Sequence, residues 1–357
     1  MPQQILFEPY QLGTHTLSNR IVMAPMTRSR AVNNLPNELI AAYYSQRASA
    51  GLIIVEGTSP SPSGTGYCRI PGIYTDTQIA AWQLTTQAVH EAGGKIFLQI
   101  MHTGRVAHAL NIPTGGEIIA PSAIAVDGNI YTDAKGMQPY SLPRAIEIHE
   151  IPGIIAEHVQ AAQNAIAAGF DGIEIHGAYG YLIEQFLSPN SNLRTDAYGG
   201  TIENRTRFLF ELMEAITAAV GPDKVGLRLS PYNTAYSIGA YDAAIVHDTY
   251  AFIAEKMAAL NIVYLHVSTN AGTDAQTLQA IRDAFPNTII QCGTLTAATA
   301  SELIHKGAAD LAAFGKPFIA NPDLVLRFKN NHTLNECKPQ LFYTPGGEGL
   351  VDYPCCS

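Results

Sequence analysis

Short apolar runs, each bounded by turn residues, alternate along the chain with longer stretches in which apolar residues recur every three or four positions. The first pattern predicts buried strands, and the second predicts helices with one covered face. Residues 19–24 read as a strand, 36–50 as a helix, 52–55 as a strand and 77–92 as a helix. The order repeats as strand 95–100 with helix 151–168, strand 170–175 with helix 204–220, and strand 225–231 with helix 243–260. It continues as strand 262–267 with helix 273–285, strand 288–291 with helix 296–307, and strand 310–314 with helix 321–330. Residues 2–20 predict a small hairpin that closes one end, and the tail 331–357 is irregular. Residues 106–150 form a long insertion with turn residues and short β-like runs, and loops of that length inside a domain are usually lids.

Eight strand–helix alternations imply an α/β fold with a parallel sheet, closed as a (β/α)8 TIM barrel. One domain over 1–357 is expected, with 106–150 as its lid insertion after strand three. An open doubly wound sheet fits less well, because no Gly-x-Gly-x-x-Gly follows a first strand.

With 357 residues, 47% hydrophobic and 14% charged, the chain can bury a large core without disulfides. A net charge of -9 argues against nucleic acid or an anionic membrane as partner. No apolar run is long enough to span a bilayer, and the start Met1-Pro2-Gln3-Gln4 lacks the pattern of a signal peptide. The five cysteines are odd in number and have no metal-site spacing, so no metal and a reducing cytoplasm are expected.

The chemistry gathers at strand ends. The fourth apolar run ends in His176-Gly177-Ala178-Tyr179-Gly180-Tyr181. A histidine and a phenol can polarise a carbonyl by donating to its oxygen, and a second phenol can deliver a proton to a nearby carbon. Core or interface packing is the alternative for any one of them. Strands seven and eight end in Gly293-Thr294 and Gly315-Lys316, where this barrel usually cradles phosphate. Tight turns are the plainer reading of these glycines. Arg228 fits either an anion fork or an ion pair with a carboxylate. Gln99 suits a heterocycle with lactam edges or a satisfied core amide. Thr27 is either a hydroxyl beside the pocket or a turn cap. No nucleophile elbow and no His-x-x-x-His appear.

Taken together these strand ends resemble the old yellow enzyme family of flavin-dependent ene-reductases. The motifs are Pro25-Met26-Thr27-Arg28, Gln99-Ile100-Met101-His102-Thr103-Gly104-Arg105, Ile173-Glu174-Ile175-His176-Gly177-Ala178 and Gln185-Phe186-Leu187-Ser188-Pro189. Asn192-Leu193-Arg194-Thr195-Asp196, Tyr198-Gly199-Gly200, Glu203-Asn204-Arg205 and the run from Ala313 to Leu324 continue the likeness. It covers nearly the whole chain and looks closest to the branch of oxophytodienoate reductases and bacterial nitroester and enone reductases.

The resemblance implies non-covalent FMN at the barrel mouth. Thr27 would meet the O4 edge and Gln99 the pyrimidine edge, while Pro25, Met26 and Gly57 line the ring. Arg228 would face the N1–C2 side, and Gly293, Gly315 and Lys316 would hold the phosphate. Tyr343 matches an aromatic at the entrance, and Tyr67 a wall of the substrate site. His176 matches one donor to the substrate oxygen, and Tyr181 matches the proton donor.

Three positions depart from the family: Tyr179 stands where asparagine or histidine is the second donor, Lys316 where arginine is usual, and Met101 where tryptophan is frequent. The implied activity is a ping-pong cycle. NADPH or NADH reduces the flavin and leaves, and an electron-poor alkene conjugated to a carbonyl or nitro group is then reduced. A monomer or homodimer is expected. Two alternatives remain: a flavin-binding NADPH oxidase made poor on alkenes by Tyr179, and a flavin-free barrel aldolase or isomerase.

Overall fold

Eight parallel strands close into a barrel in the computed structural model: Ile21–Met23 (β1), Leu52–Ile54 (β2), Ile96–Ile100 (β3), Gly172–Gly177 (β4), Val225–Leu229 (β5), Tyr264–Ser268 (β6), Thr288–Cys292 (β7) and Leu311–Phe314 (β8). Neighbours in the barrel are neighbours in sequence, and β8 pairs with β1 through Phe314 and Met23. The structure describes residues 4–356; residues 1–3, on which the leader expectation rests, and Ser357 at the end of the tail lie outside them.

The helices around the barrel are Glu38–Ser45 (α1), Asp76–Glu91 (α2), Ile151–Ala167 (α3), Leu182–Leu187 (α4), Ile202–Val220 (α5), Ala243–Ala259 (α6), Ala275–Ala284 (α7), Ala297–His305 (α8), Lys316–Ala320 (α9) and Leu324–Asn330 (α10). Their starts follow local chemistry. Asn37, Thr75, Thr201, Asp242, Asp274 and Thr296 each accept a backbone N–H of the first turn, and Thr75 forms a reciprocal capping box with Gln78. The first helix is shorter than its apolar spacing predicts, because residues 46–50 are turns. Arg47 there is fully buried and bonds the carbonyls of Tyr43, Phe318 and Ile319. The short helices α4 and α9 lie in segments to which the apolar pattern assigns no element.

Side chains alternate across a strand, so every second residue of each strand points at the barrel axis. At the amino end these are apolar. Val22, Leu52, Ile54, Phe97, Tyr264, Ile290 and Leu311 form one cluster with Leu12 and Leu17. Those two leucines belong to an antiparallel hairpin, Tyr10–Leu12 with His15–Leu17, which therefore closes this end. Toward the carboxyl ends the inward residues become Gln99, Glu174, His176, Arg228, His266 and Cys292, all buried.

The insertion carries a second hairpin, Asn129–Thr132 with Gly136–Pro139, and a short parallel pair, Ile119–Ala120 with Arg144–Ala145. Val126 and Tyr140 from it pack with Met101 and Tyr181 at the carboxyl end of the barrel. The tail is irregular but anchored. Arg28 and Arg30 are buried and donate to the carbonyls of Leu341, Phe342, Gly346, Glu348 and Gly349. Among the described residues no helix is long and apolar enough to cross a membrane.

One buried pair makes a stability prediction. His102 and His158 stack with centroids 6.0 Å apart. Burial lowers both, to about 3 for His102, with His158 contributing, and to about 4 for His158. Their folded pKa values lie below the ordinary 6.5, so in that window the unfolded chain binds protons that the native state refuses. The contribution of the pair is retained in full above about pH 6.5 and falls toward about pH 4, by about 1.4 kcal/mol per pH unit for each histidine. Buried His176, lowered as well, adds to this slope, and the buried carboxyls of Glu56 and Glu184, raised to about 7, oppose it. Denaturant melts between those pH values should therefore be compared between the unmodified protein and His158→Gln, whose slopes should differ by about 1.4 kcal/mol per pH unit, the share of one histidine. Identical slopes in the two proteins would assign the acid loss elsewhere.

Candidate active site

The strand β4 runs two residues past the predicted end. His176 pairs in register with Arg228 and Gly177 with Leu229, so the imidazole is fixed on the strand and points inward. The Ala178 N–H donates to His176 Nδ1 at 3.2 Å. That bond requires Nδ1 to be the acceptor, so the proton of the neutral ring sits on Nε2. Burial pushes the imidazole well below its ordinary pKa, and the Arg228 cation adds to this. His176 is therefore a neutral Nε2–H donor.

Tyr181 stands at the N-cap of α4 with its ring edge-on to His176, centroids 4.8 Å apart. Its hydroxyl lies 3.0 Å from that of Tyr67. Burial holds the phenols of Tyr181 and Tyr67 well above their ordinary pKa, so both keep their protons at neutral pH. His176, Tyr181 and Tyr67 are thus brought together, with Met101 and the half-buried Tyr236 packed beside them.

Tyr179 joins them by its ring, edge-on to His176 with centroids 6.2 Å apart, but its hydroxyl goes a different way. Its hydroxyl hydrogen-bonds Ser268 at the end of β6, and its ring centroid lies 5.3 Å from the Arg228 guanidinium carbon. Its backbone is in the left-handed region at φ 52°, an uncommon conformation for an aromatic residue. A fully buried carboxylate holds this turn. Glu184 accepts from the Gly180 N–H, from Ser230 at 2.9 Å, Asn233 at 2.9 Å and Tyr250 at 3.0 Å, while the Tyr179 N–H donates to Ser230 Oγ at 2.8 Å. Burial raises Glu184 to about 7, against the four donors that favour its charge.

The residues expected to hold a flavin surround the same barrel mouth. Pro25, Met26 and Thr27 follow β1 and are half-buried. A Cβ at Gly315 would come within 3.3 Å of Met26 Sδ, so the ends of β8 and β1 meet here. A Cβ at Gly57 would lie 2.4 Å from Met101 Sδ, so the close approach of these two loops needs glycine. Gly293 lies against Thr269 and is exposed, as is Lys316. Tyr343 is 61% exposed on the anchored tail, where its carbonyl accepts from Arg69.

Two of the plain sequence alternatives can be compared with the contacts. The Gln99 amide nitrogen donates to Glu174 Oε1 at 2.8 Å, so part of its role is internal. Arg228 forms no salt bridge among the described residues, and Glu174 is taken instead by Gln99 and by His266 at 2.7 Å. The Nε of Arg228 is buried without a hydrogen-bond partner in the protein. A buried guanidinium N–H left over in this way suits an electron-rich heterocycle edge. A fork of cationic donors, an amide and a hydroxyl on the axis, with a lysine and two glycines at the ends of β7 and β8, fits a planar lactam ring carrying a phosphate.

Sequence reasoning passed over Glu174, His266, Glu184, Tyr236 and Tyr140. Glu174 interrupts an apolar run at an inward position, which is a signal for a buried partner. The two tyrosines come from distant loops and carry no local signal.

Comparison with known proteins agrees with this geometry. Residues 5–335 match the model of the NADH:flavin oxidoreductase / NADH oxidase family. The chain is 39% identical to 12-oxophytodienoate reductase 7 of Oryza sativa subsp. japonica, over 99% of this chain and 95% of the relative. It is 41% identical to the rice 12-oxophytodienoate reductase 1, over 98% of this chain and 92% of that protein. The structure of morphinone reductase in complex with tetrahydroNAD superposes with a TM-score of 0.94 at 42% identity, covering 99% of this chain and 98% of that one. The old yellow enzyme homologue from Zymomonas mobilis superposes with a TM-score of 0.93 at 38% identity, covering 98% and 99%. With matches of this extent, a closed barrel and a histidine–tyrosine pair at the end of β4, the chain belongs to the NADH:flavin oxidoreductase / NADH oxidase family, in its old yellow enzyme group.

Proposed function

We propose that the protein is an FMN-dependent ene-reductase that uses NADPH or NADH to reduce the carbon–carbon double bond of α,β-unsaturated carbonyl or nitro compounds. The observation that carries this reading is the neutral Nε2–H of His176 beside the protonated hydroxyl of Tyr181 at one strand end. The first can hydrogen-bond a carbonyl or nitro oxygen and draw electron density toward it. The second can protonate the adjacent carbon.

FMN, when bound, supplies the hydride chemistry; the protein supplies position and polarisation. Thr27, Gln99 and Arg228 would hold the ring's heteroatoms, with Pro25, Met26 and Gly57 along it. Gly293, Gly315 and Lys316 would hold the phosphate, and Tyr343 would stand at the entrance. Tyr67 and Met101 would wall the alkene site. A related structure holding tetrahydroNAD supports a nicotinamide reductant here. We read the chain as one catalytic domain whose residues 106–150 act as the lid. We also read it as a cytoplasmic monomer or homodimer that needs no membrane or nucleic acid, in keeping with its charge of -9.

One observation favours a narrower reading. The Tyr179 ring stands edge-on to His176, centroids 6.2 Å apart, but its hydroxyl is engaged with Ser268. A substrate oxygen would then have one donor instead of two, and the protein would be a flavin reductase with poor alkene turnover.

An anaerobic absorbance experiment separates these readings. The oxidised flavin band should bleach with NADPH and return on adding 2-cyclohexenone. Bleaching without return would support the narrower reading, and absence of a flavin band even after incubation with FMN would overturn both. Replacing Lys316 by arginine should slow FMN release by about 3- to 10-fold, because a fork replaces a point charge; fluorescence recovery of released FMN measures it. Tyr179→Asn should tighten binding of a phenol such as 4-hydroxybenzaldehyde by about tenfold, the worth of one added hydrogen bond. Unchanged affinity in a spectral titration would mean that Tyr179 already serves as the second donor or never obstructs it.

A further inference from the structure

A proton delivered from a buried residue has to be replaced before the next turnover. Tyr181 is only 8% exposed and sits in an apolar cluster with Ile70, Met101, Val106 and Val126. A phenolate left there would be poorly solvated, because burial disfavours the charged form. The hydroxyl of Tyr181 is 3.0 Å from that of Tyr67, with the rings edge-on and centroids 6.2 Å apart. Tyr67 is half-buried, on the loop after β2, and Asn111 ties that loop to the insertion by donating to the Gly66 carbonyl at 3.1 Å.

The third phenol is Tyr236, half-buried on the loop after β5, with its ring centroid 5.7 Å from that of Tyr181. Its position is fixed by Arg105, which is buried and donates to the carbonyls of Tyr236 and Ser237 at 3.2 and 2.9 Å. Two loops and the β4 turn are thus held so that three phenols meet. Packing alone would be served as well by phenylalanine, whereas hydroxyls at hydrogen-bond distance form a conductor for protons.

We propose that Tyr67 returns a proton to Tyr181 in each cycle, with Tyr236 as the next link toward solvent. This rests on Tyr181 being the donor to the alkene carbon. In the step, the Tyr181 O–H bond breaks as the new C–H bond forms. In the same event the Tyr67 O–H bond breaks as the Tyr181 O–H bond reforms, so no free Tyr181 phenolate is left, and Tyr67 then recovers its proton from Tyr236 or water. One solvent proton is consumed per product, and no electrons move in the relay.

The test uses the FMN-loaded enzyme, reduced anaerobically and mixed with 2-cyclohexenone in mixtures of H2O and D2O. Each reoxidation rate is referred to that protein's own rate of reduction by NADPH. The relay predicts a curved dependence on deuterium fraction in the unmodified protein, because more than one proton is in flight. Tyr67→Phe should be about tenfold slower with a linear dependence, and Tyr236→Phe should fall between. Before substrate is added, Tyr67→Phe should also shift the 13Cζ resonance of Tyr181.

Tyr67→Phe with an unshifted Tyr181 resonance, or slower but still curved, would make Tyr67 a wall and overturn the relay. Unchanged reoxidation in Tyr181→Phe would instead remove the donor reading on which the relay stands. If Tyr181→Phe is slow and Tyr67→Phe is not, the donor reading survives and the relay fails.

Discussion

The buried carboxylate of Glu184 is the contact on which the site depends. A turn with two consecutive left-handed residues, Tyr179 at φ 52° and Gly180 at φ 76°, does not persist unless its surroundings fix it. Glu184 does so from the helix that immediately follows. It takes the Gly180 N–H directly and reaches the Tyr179 N–H through Ser230, while Asn233 and Tyr250 satisfy its remaining lone pairs. A half-satisfied buried carboxylate would cost more than an apolar core, but four donors make the network complete. The consequence is chemical. The turn that follows β4 presents Tyr181 to His176, and the Ala178 N–H at its start selects the histidine tautomer.

The barrel supplies the other half of that arrangement by dividing its interior along the axis. The amino half is apolar and closed by Leu12 and Leu17 from the hairpin, so polar groups on the axis can lie only toward the carboxyl ends. There Glu174 accepts from Gln99 and pairs with His266; burial works to keep that imidazole neutral, and the Glu174 charge together with hydrogen bonds to Glu174 and Cys292 raises it all the same. With Glu174 occupied on both oxygens, Arg228 keeps its charge for whatever lies above it. A direct Arg228–Glu174 pair would have neutralised the cation where the site needs it.

The fold was largely legible in the chain, because strand and helix existence depends on local periodicity, and eight alternations leave few topologies. Boundaries were less so. Helix α1 stops early because Arg47 is drawn into backbone carbonyls of a distant segment, and α4 and α9 are too short to show a period. The site was legible where its residues share a strand end, as His176 and Tyr181 do. It was illegible where function comes from meetings across the barrel. Nothing near Tyr236 or Tyr67 announces that their phenols meet at Tyr181, and an irregular tail sequence does not reveal that Arg28 and Arg30 bind its carbonyls. Arginine suits that anchoring because one side chain offers five donors in a plane, enough to satisfy several turns of backbone that has no partner strand.

Tyr179 shows how a single departure from a family pattern is absorbed by such a frame. A longer side chain at the position of an asparagine or histidine donor has two directions open to it. Its ring stands edge-on to His176, centroids 6.2 Å apart, and a hydroxyl carried onto the imidazole would crowd the oxygen it is meant to bind. Across the mouth it finds a cation face at Arg228 and a hydroxyl at Ser268, both on strands fixed by the barrel. The second direction offers a desolvated cation–π contact together with a hydrogen bond, worth on the order of 2 kcal/mol combined against solvent-exposed alternatives. That is enough to set the orientation of the hydroxyl.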